Sequence, residues 1–167
     1  MTRASHDAAV GDGRLTVGEL LAAARARIER LEPHEALAAV AAGEALLVDI
    51  RSEDDRRRWG IAPGGLHLPR TVLEWRVDPT SGWHNPHVDG HERLLLLCTD
   101  GYSSSLAAAT LVTMGYERAG DVTGGFRAWR LAGLPVLEAP ERDDGVPARD
   151  APARPGALTG SRVRRYL

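Results

Sequence analysis

The chain has a single cysteine, Cys98, and it lies where a thiol can be activated as a nucleophile. The apolar run Arg93–Leu97 precedes it, and a Gly-containing loop and a run of small residues follow it. A thiol before a helix N-terminus faces unpaired backbone N–H groups and the positive end of the helix dipole, which lower its pKa. Gly101 can bend the loop so that successive amides converge on one point. The pattern indicates a nucleophile with a backbone anion site built from Thr99, Asp100, Gly101, Tyr102, Ser103 and Ser104.

The residues alone leave a second interpretation open, because a lone cysteine at the end of an apolar strand is often inert and buried. With one cysteine, an intrachain disulfide and a zinc site of several thiolates are both excluded, and a reducing, cytoplasmic location is the simplest expectation. His84, His87 and His91 have a loose metal-like spacing. They lie in an irregular stretch without acidic or thiolate ligands at helical spacing, so we expect no metal and no other cofactor.

Composition excludes several further classes of function. The length of 167 residues suits one domain, and a net charge of -2 argues against nucleic-acid binding. Every basic residue is Arg, which excludes a Schiff-base lysine. The polar segment 1–14 lacks the apolar stretch of a signal peptide, and no apolar run is long enough to span a bilayer. We therefore expect a protein that binds neither nucleic acid nor membrane.

The elements that must position Cys98 alternate between short strands and helices, which predicts an α/β fold with a parallel sheet covered on both faces. Ligands bind such sheets at the carboxyl ends of the strands, where Cys98 lies. The predicted strands are Ile28–Leu31, Ala45–Ile50, Leu66–Leu68, Arg93–Leu97 and Ala119–Val122. The predicted helices begin at a Thr16/Glu19 capping box, at Pro33 and after Ser52, with others at Val72–Arg76, at Leu106–Met114 and from Gly125.

The basic run Arg56-Arg57-Arg58 lies on the third of these helices. Glu53 and Arg57 are four residues apart, as are Asp54 and Arg58, which is the spacing of helical ion pairs. We therefore expect a solvated, self-paired helix face here and not a ligand site.

Four blocks of the sequence, in order, resemble the rhodanese family. Cys98 and Gly101 match its Cys-x-x-Gly-x-Arg loop in type and spacing, and Ser104 suits the position that follows. The other blocks are Leu47-Val48-Asp49-Ile50-Arg51, the turn from Gly60 to Pro69, and Val122-Thr123-Gly124-Gly125-Phe126-Arg127-Ala128-Trp129. The resemblance implies a three-layer α/β/α domain on a five-stranded parallel sheet, which we place at residues 15–137 between a flexible N-terminal tail, 1–14, and a mostly disordered C-terminal tail, 138–167.

The resemblance also implies sulfur transfer, in which Cys98 takes a sulfane sulfur from a small donor as a persulfide and passes it to a thiol or cyanide-type acceptor, which can belong to a protein. The sequence departs from the family where Ser103 replaces the loop Arg and where Asp100 adds a negative charge. Arg70 or Arg76 is a candidate for supplying the missing positive charge. The departures keep open a sulfur or redox sensing module with little turnover. The length of the loop and its lack of Arg disfavour a phosphatase or arsenate reductase.

Overall fold

The computed structural model describes residues 13–140, so the two predicted tails fall almost entirely outside the described residues. Strands and helices alternate along the chain, with two short 3-10 turns at Arg70–Val72 and Pro86–Val88. The strands are β1 (Glu29–Leu31), β2 (Leu46–Asp49), β3 (Leu66–His67), β4 (Leu94–Leu97) and β5 (Gly120–Val122). The helices are α1 (Val17–Arg25), α2 (Pro33–Ala41), α3 (Glu53–Trp59), α4 (Leu73–Val77), α5 (Ser103–Thr113) and α6 (Gly125–Leu131). No helix within this part of the chain is long and apolar enough to cross a membrane.

The five strands form one parallel sheet in the order β1-β5-β4-β2-β3, which confirms the predicted fold class. β4 lies at its centre, and its four leucines are completely buried. A central parallel strand is covered on both faces, which is why it is a continuous apolar run in the sequence. The carboxyl end of β4 leads directly to Cys98, with the ends of β5 and β2 on either side of it.

The core has two parts, one on each face of the sheet, because alternate residues of a strand point to opposite faces. Leu94 and Leu96 pack with Leu111 of α5 on one face. Leu95 and Leu97 pack with Trp129 of α6 on the other. α1 contacts α5 on the first face, and α2 contacts α6 on the second. The helices α5 and α6, which both contact the Cys98 loop, therefore lie on opposite sides of the sheet.

Two local predictions, on the start of α5 and on the exposure of Arg56, are wrong. α5 begins at Ser103 and not at Leu106, so Ser103 and Ser104 form the first turn of the helix and not part of the loop. In α3, Arg56 is not solvated: it is 6% exposed, and its Nε lies 3.4 Å from a carboxylate oxygen of Asp49 on β2. Arg57 does pair with Glu53, as the spacing predicts, at 3.7 Å.

Candidate active site

Cys98 lies between the central strand and the N-terminus of α5, at the base of an open pocket. The residue is 5% exposed and is one of the residues that line this pocket. The loop forms one wall of the pocket, and the segment that follows β2 forms the other, so the site is built at the carboxyl ends of two adjacent strands. The lining residues outside the loop are Ile50, Arg51, Ser52 and Asp55, and those of the loop and first helical turn are Thr99, Asp100, Tyr102 and Ser103.

The start of α6 holds the loop in shape. The amide of Phe126 donates to the carbonyl of Cys98 at 2.8 Å, and the amide of Arg127 donates to the carbonyl of Thr99 at 2.9 Å. The loop carbonyls are thereby bound to a helix N-terminus, which is an arrangement that favours oxygen acceptors. Gly101, with φ of 77°, turns the chain so that its own amide points back toward the sulfur.

The sulfur of Cys98 has two close polar neighbours. The amide of Gly101 donates to Sγ at 3.1 Å, and the hydroxyl oxygen of Ser104 lies 3.2 Å from Sγ. Burial raises the pKa of the Cys98 thiol, but hydrogen bonding with the hydroxyls of Ser103 and Ser104 and with nearby amides lowers it. The net result is a pKa below that of an ordinary cysteine, and hence a larger thiolate fraction near neutral pH.

A second layer of polar groups lies beneath the sulfur. Asp121 on β5 is completely buried, and one of its carboxylate oxygens accepts hydrogen bonds from Ser104 at 3.0 Å and Ser105 at 2.6 Å. The other oxygen accepts from Nε of Arg30 at 2.8 Å. Arg30 and Asp121 are register partners on adjacent strands, so the sheet itself places them side by side. No sequence motif marks this layer, because its members are far apart along the chain.

Arg25, the last residue of α1, also binds the loop. Its Nη2 donates to the carbonyl of Gly101 at 2.9 Å, and its Nε donates to Ser105 at 3.2 Å. Its guanidinium also lies over the ring of Tyr102, which is otherwise exposed. The N-terminal helix is therefore part of the site, and a positive charge reaches the loop from α1 although Ser103 has none.

The arginine in the pocket wall is Arg51, not the predicted Arg70 or Arg76. Among the described residues, the lining of the pocket includes neither of these two. Arg70 pairs with Glu74 at 2.7 Å, and Arg76 donates to the carbonyl of Trp83. The geometry gives no support to an anion-binding role for them. Both residues follow β3, and the side chains there turn toward α4 and its neighbouring loop.

Arg51 itself is held as a structural part of the wall. Its Nε and Nη2 bind the carboxylate of Asp49 at 2.9 and 2.7 Å, and its guanidinium stacks on the ring of Phe126 at 3.7 Å. Bidentate pairing and stacking together fix a guanidinium in one position. Arg51 therefore ties the end of β2 to the start of α6, the same helix that holds the loop.

The negative charge of Asp100 is also balanced. Arg127 of α6 lies 3.0 Å from the Asp100 carboxylate, at the rim of the pocket where the arginine is 70% exposed. The two opposite charges lie side by side, so they partly cancel as seen by an incoming anion. The repulsion expected from Asp100 is weaker than the sequence alone suggests.

The chain is similar to known proteins over most of its described residues. The family described as rhodanese-like domain matches residues 32–132. A thiosulfate sulfurtransferase GlpE from Actinobacillus pleuropneumoniae serotype 5b is 32% identical over 111 residues, which covers 65% of this chain and 93% of that protein.

Two solved structures show the same fold. A protein of unknown function from Rhodopseudomonas palustris, described as a possible tyrosine phosphatase, is 33% identical with a TM-score of 0.69, over 73% of this chain and 94% of its own. A thiosulfate sulfurtransferase from Pseudomonas aeruginosa is 25% identical with a TM-score of 0.59, over 80% of this chain and 24% of its own. α1 precedes the matched residues of the family, and the matched part includes every strand from β2 to β5. The chain belongs to the rhodanese-like domain family.

Proposed function

We propose that this protein is a sulfurtransferase in which Cys98 carries a sulfane sulfur as a persulfide. The observation that carries the proposal is the position of the sulfur, 3.1 Å from the amide of Gly101 and in front of the first turn of α5. A backbone site of this kind stabilises an anion without a metal or a charged side chain. The relatives named as thiosulfate sulfurtransferases support the same chemistry.

The reaction divides into two balanced half-reactions. The Cys98 thiolate attacks the outer sulfur of the donor, and the bond between that sulfur and the rest of the donor breaks. The leaving group departs with the electron pair, as sulfite from thiosulfate, as a thiolate from a persulfide or polysulfide, or as the enolate of pyruvate from 3-mercaptopyruvate. The new S–S bond leaves Cys98 as Cys–S–S⁻. A nucleophilic acceptor, cyanide or a thiolate, then attacks the outer sulfur and releases the Cys98 thiolate. No cofactor is needed, since the thiolate is both nucleophile and carrier.

The geometry also bears on the kind of donor. Ser103 is exposed at the pocket and presents a hydroxyl where the Cys-x-x-Gly-x-Arg pattern has an arginine, so a dianion such as thiosulfate gains little charge pairing at that position. Arg25 is bound to the loop carbonyl of Gly101, and it is not among the described residues that line the pocket. Donors with less negative charge, including 3-mercaptopyruvate and protein persulfides, are therefore expected to be used better than thiosulfate. A small donor with a small-molecule or protein thiol as acceptor is the partner set that we propose.

Steady-state cyanolysis tests this function. Purified protein is given thiosulfate, 3-mercaptopyruvate or polysulfide together with cyanide, and thiocyanate is measured over many turnovers. We expect turnover with at least one donor and none for Cys98→Ser. Release of a single equivalent without turnover would favour the sensing module.

An aryl phosphate is included as the substrate of the competing activity, since one solved relative is described as a possible tyrosine phosphatase. Phosphate binding in a thiolate pocket needs strong cationic help, and the first turn of α5 offers serines. Hydrolysis of the aryl phosphate without thiocyanate formation would contradict the proposal.

A further inference from the structure

We propose that Asp121 and Arg30 act as positioning residues that set the ionisation of Cys98 through the hydroxyl of Ser104. The chain of contacts is continuous. Ser104 Oγ lies 3.2 Å from the sulfur and 3.0 Å from the Asp121 carboxylate, whose other oxygen binds Arg30 at 2.8 Å. The proposal rests on Cys98 being the reacting group of the proposed function, but the ionisation of its thiol can be measured without sulfur transfer.

Ser104 has only one hydroxyl proton, and two groups compete for it. When that proton points to Asp121, the lone pairs of Ser104 face the sulfur and can accept a hydrogen bond from a neutral thiol. When Cys98 is a thiolate, the proton is needed by the sulfur, and Asp121 loses that donor. Asp121 therefore favours the neutral thiol, because it accepts the hydrogen bond from Ser104 that a thiolate would need.

The charge of Asp121 also favours the neutral form of the Cys98 thiol. The carboxylate is completely buried and is separated from Sγ by a single hydroxyl group, so it disfavours a second negative charge on the sulfur. Arg30 offsets this effect, because it neutralises the carboxylate from the far side. The arginine side chain is 24% exposed and the carboxylate 0%, so solvent screens the pair only partly.

The two partners of this ion pair should therefore have opposite effects on Cys98. Asp121→Asn removes the negative charge and frees the Ser104 proton for the thiolate, which lowers the pKa of Cys98. Arg30→Met leaves an uncompensated carboxylate beneath the sulfur, which raises that pKa. Damage to the fold alone does not predict opposite shifts from the two halves of one contact.

Several other charged groups surround the same loop and must stay constant in the comparison. They come from α1, from the end of β2, from α3 and from the rim at α6. These groups are Arg25, Asp49, Arg51, Asp55, Asp100 and Arg127. None of them is altered in the variants, so a difference between the Asp121 and Arg30 variants reports the buried pair.

The experiment measures the rate of Cys98 alkylation by iodoacetamide against pH, with thiolate absorbance in the ultraviolet as a second readout. We expect Asp121→Asn to react about three-fold faster than wild type below the midpoint, and Arg30→Met about three-fold slower, which corresponds to shifts of about half a pKa unit. Arg30→Lys, which keeps the charge, should restore most of the wild-type profile.

The matched control is Arg93→Met. Arg93 pairs with Glu29 at 2.8 Å across the same sheet, is 12% exposed and contacts neither Ser104 nor Cys98 in the described hydrogen bonds. It should leave the alkylation profile unchanged. In a Ser104→Ala background, the effect of Asp121→Asn should shrink, because the bridging hydroxyl is gone.

Ser105→Ala is a milder variant that keeps both charges, in case a charge variant does not fold. It removes a donor to Asp121, so the carboxylate holds the Ser104 proton more strongly and the pKa of Cys98 rises. Shifts of equal sign for Asp121→Asn and Arg30→Met, or an unchanged profile in folded Ser105→Ala, would overturn the proposal. A failed cyanolysis assay with the expected pKa shifts would contradict the sulfurtransferase function alone.

Discussion

Replacing Gly125 with alanine should displace the loop that carries Cys98. Gly125 is the second residue of the Gly-Gly pair that opens α6, and it packs directly on the loop backbone. A Cβ at this position would lie 2.5 Å from the carbonyl oxygen of Cys98 and 2.7 Å from the amide nitrogen of Gly101. Ordinary contact begins at 3.4 Å, so the two backbones must separate by about 0.9 Å.

The expected loss of stability in Gly125→Ala follows from two effects. The backbone at residue 125 has φ of 61°, a left-handed conformation that costs a non-glycine residue about 1–2 kcal/mol. Overpacking against rigid backbone adds about 1–3 kcal/mol. The free energy of unfolding should therefore fall by about 2–5 kcal/mol, and a displacement near 1 Å at the nucleophile should reduce kcat/KM for sulfur transfer by about 100-fold.

Gly133→Ala is the matched control for the backbone effect. Gly133 also has a left-handed φ, 69°, at the end of the same helix, but a Cβ there meets nothing within 4 Å. It should cost only the conformational strain, about 1–2 kcal/mol, because the added methyl group meets no neighbour. Urea unfolding and cyanolysis of both variants provide the comparison. Equal stability of the two variants, or wild-type activity in Gly125→Ala, would refute the packing argument.

Two further predictions concern the charge at the loop and the hydrogen bonds that hold the loop. Ser103→Arg should raise kcat/KM for thiosulfate several-fold, with a smaller change in the cyanide dependence, because a cation at the pocket attracts the dianionic donor. Asp100→Asn should change kcat/KM for thiosulfate less, since Arg127 already pairs with Asp100. Kinetics at fixed ionic strength would check both, and an unchanged thiosulfate efficiency in Ser103→Arg would contradict the charge argument. Arg25→Met should loosen the loop by removing the bonds to Gly101 and Ser105. We expect faster amide hydrogen exchange in the loop and a several-fold lower kcat/KM. The control is Arg27→Met, two residues beyond the end of α1 and bonded to Thr113, which should leave both unchanged.

The sheet could be predicted from sequence because its strands are short apolar runs separated by clear helix signals. Arg93–Leu97 predicts β4 to within one residue, and the Thr16/Glu19 capping box is present as expected. The start of α5 could not be placed, because three consecutive serines are as typical of a loop as of a first helical turn. The structure assigns them to the helix because Tyr102 ends the loop and Ser104 and Ser105 turn inward to Asp121.

The charged side chains of the site were harder to predict, because pairing depends on which elements become neighbours. Arg56 has acidic partners at helical spacing, yet it lies on the face of α3 that packs against Asp49. Arg30 and Asp121 meet only because β1 joins the sheet beside β5, at a separation of 91 residues along the chain. Motifs predict the candidate nucleophile and its loop, while the buried groups that we propose to act on it become neighbours only through the register of the sheet.

The central claim is that Cys98 holds a transferable sulfur. The most direct measurement is the intact mass of the protein after incubation with polysulfide and again after addition of cyanide. We predict a gain equal to one sulfur atom in the wild type, its loss with stoichiometric thiocyanate on adding cyanide, and no gain in Cys98→Ser. A wild-type protein that stays at its original mass with every donor, or a Cys98→Ser variant that gains the same sulfur, would contradict the account.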